Sequence, residues 1–346
     1  MKKIGICGHF GGNENFLDGQ TIKTKILTEE LIKIYGRDEI ETIDTNGWKK
    51  SPIKLLRQCV SMIIGTENII VLPAHNGVNV FIPLFGLMNI FFRRRLHYIV
   101  IGGWLFETLR HKLFLKKFVR MFYGVYVESN VMKSELESLG LKNLKFMTNF
   151  KKLEIACSDY DDIDIPKPFK ACTFSRVVEK KGIEDAITVV KRINELSDEI
   201  IISLDIYGPI AHSYKEKFKV LQEKFPQYIS YKGCIDYSKT VDTLKEYYVL
   251  LFPTRFYTEG VPGTIIDAYA AGVPIIASRW KSAEEIIIHG KTGMIYDFMD
   301  ICDFEEKLLF LINNPDVVKQ MKESCFHLAK KFHSPTVISQ FANHIK

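Results

Sequence analysis

No two cysteines in this sequence stand in a CxxC pair. The seven present, at positions 7, 59, 157, 172, 234, 302 and 325, form an odd and scattered set. That spacing argues against a disulfide framework and against a thiolate-held zinc, and it fits a reducing compartment. The nine histidines include no HExxH and no ligand-like cluster, so no protein-held metal is expected. Long apolar runs are missing too. The greasiest stretch, 78–92, is interrupted by Asn79, Pro83 and Asn89 and falls short of the ~20 residues that span a bilayer, so no transmembrane helix is predicted. The opening MKKIGICGHFGG starts with two lysines as a signal peptide does, but glycine and histidine break its apolar run and it reads as a first buried strand. A cytoplasmic location follows as the expectation. Gly5, Gly8, Gly11 and Gly12 miss the GxGxxG spacing, and in GQTIKT at 19–24 Ile22 stands where a P-loop needs glycine, so an NTPase reading has no support.

What is present is a chain of 346 residues, longer than one core usually supports, and two domains are expected. The net charge of +6 is mild. Its distribution is not: between Phe91 and Gly124 eight lysines and arginines face a single acid, Glu107.

Short β-branched runs alternate with helical patterns, which indicates parallel sheets flanked by helices. Strands are predicted at 3–7, 39–43, 69–72, 97–101, 124–128 and 144–147, with helices at 21–35 and 132–139 among the connections. The polar stretch SDYDDIDIPKP, 158–168, reads as a linker. The alternation then restarts, with strands at 171–175, 201–207, 229–232, 249–252, 274–277 and 293–296 and helices at 183–195, 214–224, 237–246, 264–271, 283–288 and 304–313. The fold class is therefore α/β, two Rossmann-like doubly wound domains facing a central cleft. Their bounds are 1–157 and 169–332, with 158–168 as linker and a closing segment, 333–346. Ligands of such sheets bind beyond the carboxyl ends of the strands.

Two stretches carry chemistry. In FSRVVEKKGIEDAI, 174–187, a strand ends, Arg176 follows, and Lys181 and Gly182 stand just before an amphipathic helix. Orphan N–H groups and the helix dipole favour an anion at such a point, and a diphosphate is the natural guest. The alternative is a pair of solvated loop cations. In FYTEGVPGTIIDAYAAGVPIIAS, 256–278, Glu259 lies in the loop after a strand, and Gly263 removes side-chain bulk where a phosphate would meet the N–H groups of Thr264 and Ile265. Asp267 follows one turn into the helix, where a carboxylate accepts bonds from two vicinal hydroxyls. A helix-start charge and an exposed loop acid are the plainer readings of Asp267 and Glu259. Two bases for phosphates and two acids for hydroxyls together describe a nucleotide-sugar.

These two stretches resemble the signature motifs of the retaining glycosyltransferases of family 4, which have the GT-B fold. The family pattern of a glutamate, seven residues, a second glutamate and a GxPxIAS-like strand appears as Glu259, seven residues, Asp267 and AYAAGVPIIAS. The resemblance extends to DGQTIKT near the start and to a closing helix at 335–345, which in this fold crosses back to the first domain. It implies that Arg176, Lys181 and Glu259 are catalytic, the two cations on the donor diphosphate and Glu259 facing the transferred sugar. Asp267 is implied on the ribose, Gly263 and Thr264 beneath the diphosphate, and Gly11 and Gly12 in the glycine-containing loop of the first domain. Aspartate replaces the second glutamate. Where many members carry a histidine after the fourth strand this chain has VIGGWLFE, with Trp104 and Glu107 as further candidates. The implied reaction is transfer of a sugar from a nucleotide-sugar, with UDP the expected nucleotide, to a hydroxyl acceptor, a lipid-linked glycan intermediate of surface polysaccharide. It retains configuration and needs no metal or other cofactor. A GT-B sugar-nucleotide epimerase and a non-catalytic two-lobed sugar-binding protein are the rival readings. The basic, phenylalanine-rich segment 93–120 is expected to touch an anionic membrane surface peripherally, with a solvated helix or a nucleic-acid face as alternatives; no nucleic-acid partner is expected.

Overall fold

The computed structural model describes residues 1–12, 19–73, 75–154 and 167–345. The chain divides into two units, Met1–Lys152 with Phe332–Lys346, and Leu153–Lys331. The linker expected at 158–168 lies almost wholly outside the described residues.

The first unit runs β1 (Lys2–Gly8), α1 (Gly19–Tyr35), β2 (Ile40–Asp44), α2 (Pro52–Gly65), β3 (Thr66–Leu72), α3 (His75–Phe92), β4 (Arg95–Ile99), α4 (Leu105–His111), α5 (Leu113–Val119), β5 (Gly124–Val127), α6 (Asn130–Ser138) and β6 (Leu144–Phe146). Its six strands are parallel in the order β2-β1-β3-β4-β5-β6. The sheet is covered on two sides. One core takes in Leu55, Cys59 and Met62 of α2, Val78, Phe81 and Phe85 of α3, and Leu115 and Phe118 of α5. The other joins Ile26, Leu27 and Leu31 of α1 to Val337, Ile338 and Phe341 of the closing helix, Ser334–Ala342. A buried ion pair, Lys23 Nζ to Glu128 Oε1 at 2.5 Å, ties α1 to the end of β5. Helix α3 begins three residues before the apolar run seen in the sequence and reaches 18 residues, long and apolar enough by length and composition to cross a membrane. Its inward side chains nevertheless belong to the sheet's core.

The second unit runs β7 (Phe169–Phe174), α7 (Ile183–Glu195), β8 (Ile202–Tyr207), α8 (Lys215–Gln222), β9 (Ile229–Gly233), α9 (Thr240–Leu244), β10 (Val249–Phe252), α10 (Gly263–Ala270), β11 (Ile275–Ser278), α11 (Ala283–Ile286), β12 (Gly293–Tyr296), α12 (Ile301–Asn313) and α13 (Pro315–Ala329); the closing helix is α14. The strand order β12-β11-β10-β7-β8-β9 places the reversal of winding between β7 and β10. That is where a doubly wound sheet opens a crevice for ligands. All twelve strands expected from the sequence are present. Helix α13 was not among the expected elements. It starts on Asn314 and Pro315, buries Val318, Met321, Cys325 and Phe326, and packs on α10. Gly272 makes room for it, since a Cβ there would lie 2.3 Å from the Phe326 ring. The six described cysteines are free thiols.

His97 of β4 is fully buried, with Nδ1 2.9 Å from the Tyr126 hydroxyl and Nε2 3.3 Å from Asn68 Oδ1. Burial, reinforced by the charge of Lys145, lowers its pKa to about 3. The unfolded chain takes up a proton here near pH 6.5, its ordinary value, and the folded chain does not until about 3. Stability should therefore fall as pH drops through that window and stay flat above it. Urea unfolding across the range checks this: H97Q is expected to be less stable at neutral pH but to show a shallower acid-side decline than the parent chain.

Candidate functional site

The carboxyl ends of β7 and β10 bring the two chemical stretches of the second unit together. After β7 the chain passes Arg176 and Lys181 and enters α7 through Gly182. This glycine has φ 65°, and a Cβ on it would sit 1.8 Å from the carbonyl oxygen of Pro253, just past β10. Only glycine satisfies both the left-handed turn and that approach. Hydrogen bonds then join the loops: Arg255 N–H donates to the Lys180 carbonyl at 2.8 Å, and the Arg255 guanidinium grips the buried Asp185 carboxylate with two of its nitrogens, Nε at 2.8 Å from Oδ2. On the other side, Val177 N–H donates to Pro209 O and Ala211 N–H to Val177 O.

On this scaffold Lys181 and Glu259 meet directly. Lys181 Nζ is 2.8 Å from each oxygen of Glu259, and the Thr254 hydroxyl donates to Glu259 Oε2 at 3.1 Å. Both side chains are mostly buried, at 22% and 15% exposure, so each charge depends on the other for the water it has lost. Lys181 also stands over the Phe252 ring, 5.2 Å from its centroid. Arg176 is exposed and, among the described residues, has no ion-pair partner. The cations thus differ: Arg176 is available to an incoming anion, whereas Lys181 is held by the acid expected to face the sugar.

Helix α10 begins at Gly263 after the extended Pro262. The Thr264 hydroxyl donates to the Phe174 carbonyl at 2.7 Å, tying this helix start to the end of β7. The N–H of Ile265, expected to face a phosphate, donates instead to Pro262 O at 3.1 Å, because the first turn closes on itself. Asp267 lies one turn farther on and is buried.

In the first unit Gly11 and Gly12 follow β1, both in the left-handed region at φ 85° and 56°. Asp44, at the end of β2, holds their loop: Oδ1 accepts from the N–H groups of Phe10 at 2.9 Å and Asn46 at 2.8 Å, and Oδ2 from Gly12 at 2.8 Å. The Gly12 N–H is therefore engaged by a carboxylate of its own unit. Trp104 is half-buried with its ring edge-on to His75, centroids 4.9 Å apart, and Glu107 is exposed on α4. Among the described residues no three His, Cys, Asp or Glu side chains form a metal-ligating group.

Asp44, Thr254, Arg255 and Asp185 escaped sequence reasoning. For Asp44 the available signal was an acid immediately after a predicted strand; for Arg255, a cation four residues before Glu259 in the same loop. The Lys181–Glu259 contact makes a direct prediction. In a cycle of K181A, E259A and the double variant, unfolding free energies should couple by ~0.5–3 kcal/mol, each single variant leaving a partly buried charge uncompensated. Additive losses in urea denaturation would contradict the pairing.

Residues 161–326 match the family model of glycosyl transferases group 1. An uncharacterized glycosyltransferase of Methanocaldococcus jannaschii is 27% identical over 155 residues, 45% of this chain and 41% of that protein. The 2-deoxystreptamine N-acetyl-D-glucosaminyltransferase of Niallia circulans is 25% identical over 174 residues, 49% of this chain and 40% of that protein. The chain thus matches about two fifths of the length of these curated relatives. Among solved structures, Anabaena HepE in complex with UDP and glucose superposes with a TM-score of 0.75 at 13% identity, over 99% of both chains. The lipopolysaccharide outer core galactosyltransferase WaaB does so with 0.70 at 16% identity, over 100% of this chain and 99% of that one. Residues 161–326 of this chain are a glycosyl transferases group 1 domain, carried in a chain of GT-B architecture.

Proposed function

We propose that the chain is a retaining glycosyltransferase that moves a sugar from a UDP-sugar to a hydroxyl of a lipid-linked glycan, in the synthesis of a surface polysaccharide. The observation that carries this reading is the convergence at the β7–β10 reversal of Arg176, the Lys181–Glu259 pair and the start of α10, all within one unit. In this reading Arg176 meets the diphosphate first. A phosphate oxygen then competes with Glu259 for Lys181, and the released carboxylate becomes an acceptor for hydroxyls of the sugar. Asp267 receives the ribose diol, and Gly263 and Thr264 lie beneath the diphosphate. The first unit takes the acceptor, with Gly11 and Gly12 in the loop that Asp44 shapes.

Retention is proposed to follow from attack on the face the nucleotide leaves, the departing phosphate accepting the acceptor's proton, so no enzymic nucleophile is invoked. The barrier is lowered by stabilising charge on the leaving diphosphate, a task for which Arg176 and Lys181 substitute for a metal ion. UDP bound in a solved GT-B neighbour and N-acetylglucosaminyl transfer by a named relative support the donor class.

The test is incubation of the chain with a panel of labelled nucleotide-sugars, a lipid-linked acceptor extract and EDTA, followed by NMR assignment of the product's anomeric configuration. Transfer with retention and without metal is expected, and R176A combined with K181A should lower kcat/KM by ~10²-fold or more. Isomerised donor without transfer, or undiminished turnover by the double variant, overturns the proposal.

A further inference from the structure

Lys181 stands on weak local structure. It ends a single 3₁₀ turn, Glu179–Lys181, capped by the left-handed Gly182. One such turn has too few internal hydrogen bonds to hold its own shape. The lysine side chain adds a flexible four-carbon stem, whose freedom is given up whenever Nζ is held at one point. Yet Nζ lies 2.8 Å from both oxygens of Glu259, 78 residues farther along the chain. Something outside the turn has to fix it.

The loop after β10 supplies that fixture residue by residue. Pro253 meets Gly182 through its carbonyl. Thr254 is buried; its hydroxyl accepts the Phe256 N–H at 3.2 Å and its carbonyl accepts the Ser278 hydroxyl, which ties the loop to the end of β11. The Phe256 ring lies against Lys180, with Nζ 5.6 Å from its centroid. Arg255, between these two, makes the most extensive contact. Its N–H holds the Lys180 carbonyl at 2.8 Å, inside the 3₁₀ turn, and its guanidinium reaches past the turn to Asp185 in the first turn of α7. One residue thus clasps Lys181 from both sides, at position 180 through the backbone and at position 185 through the side chain.

The surroundings of Arg255 show which part of it matters. Its side chain is 24% exposed and that of Asp185 8%. The hydrogen-bonded Asp185 raises the pKa of the guanidinium, and the charges of Glu184 and Glu179 add to the effect. Glu184 is itself held by Lys217 Nζ at 2.9 Å and by the Tyr214 hydroxyl. An arginine enclosed by acids in this way has its charge answered before any diphosphate arrives. What it contributes is geometry, because a planar fork on a carboxylate fixes orientation as well as distance, which a single ammonium does not.

We propose that Arg255 is a positioning residue for glycosyl transfer: by clasping both sides of Lys181 it holds that ammonium where charge develops on the leaving diphosphate, without touching the donor. The step it serves rests on the glycosyl-transfer reading. A misplacement of about 1 Å can cost ~10²-fold in rate. The loss should fall on kcat, since Arg176 and the start of α10 remain to bind the ground-state donor.

R255A alone would strand the buried Asp185, so R255A/D185A, which removes both charges, is the variant to measure. Where thermal unfolding shows that the alanine pair has lost the fold, R255M/D185L fills the same space with apolar side chains. With the nucleotide-sugar that the parent chain turns over, kcat is expected to fall ~10- to 100-fold while the donor KM stays within about three-fold. R255K keeps the charge without the fork and should show most of the same loss. A raised KM with kcat kept, or an R255K variant as active as the parent, would show that Arg255 acts on the donor as a charge and would overturn the proposal. Parent kinetics in the paired variant would overturn it too.

A second measurement is independent of turnover. In urea unfolding, the coupling between K181A and E259A should fall by at least half in the paired-variant background, because the two loops no longer hold these side chains in register. Coupling that stays at the parent value overturns the proposal whether or not a donor is found. Lost coupling in a chain that transfers no sugar keeps Arg255 as the residue that positions Lys181 and removes only the glycosyl-transfer reading.

Discussion

The approach of Gly182 to the Pro253 carbonyl constrains everything around the candidate site. A single methyl group at residue 182 would lie 1.8 Å from that oxygen, far inside van der Waals contact distance. Because the two loops touch there, the Arg255–Asp185 ion pair, the Arg255 N–H bond to Lys180 and the Lys181–Glu259 pair can all close across the same gap. The loops after β7 and β10 are accordingly one mechanical body. A charge that binds to one of them changes the electrostatics of the other, since Lys181 and Glu259 are each other's principal counter-ion.

The two units solve a similar problem with different chemistry. In each, the winding of a parallel sheet reverses beside the first strand, between β1 and β3 or between β7 and β10. The loop leaving that first strand is then held by an acid. In the second unit the acid is Asp185, inside the following helix and answered by Arg255. In the first it is Asp44, at the end of the neighbouring strand β2 and answered by three backbone N–H groups. The first arrangement uses a charged side chain as partner and the second uses the backbone itself, which explains why the first-unit loop can carry two consecutive glycines with left-handed φ and still be held.

Support for the site helix comes from a distance in sequence. Helix α10 is held from one side by the Thr264 bond to Phe174 and from another by α13, whose Phe326 fills the space left by Gly272. The strands were legible because a buried parallel strand must be a short β-branched run, whatever surrounds it. The outer helices of the first unit were harder to read. Helices α2 and α3 carry apolar residues on both buried and exposed sides, which blurs the helical period that marks an amphipathic segment. Helix α13 has a clear period but no neighbouring motif to draw attention to it.

The order of strands and turns, the two domain-sized halves and the residue types of the candidate site were determined by the sequence alone, because backbone hydrogen bonding and apolar burial act on local patterns. Which charges meet was decided only by tertiary structure. Lys181 and Glu259 are 78 residues apart, Arg255 and Asp185 70, and Asp44 is 32 from the Gly12 it holds. No local rule joins residues at such separations. Their contacts exist because parallel strands deliver successive loops to the same edge of a sheet, and because the reversal of winding sets the ends of β7 and β10 side by side.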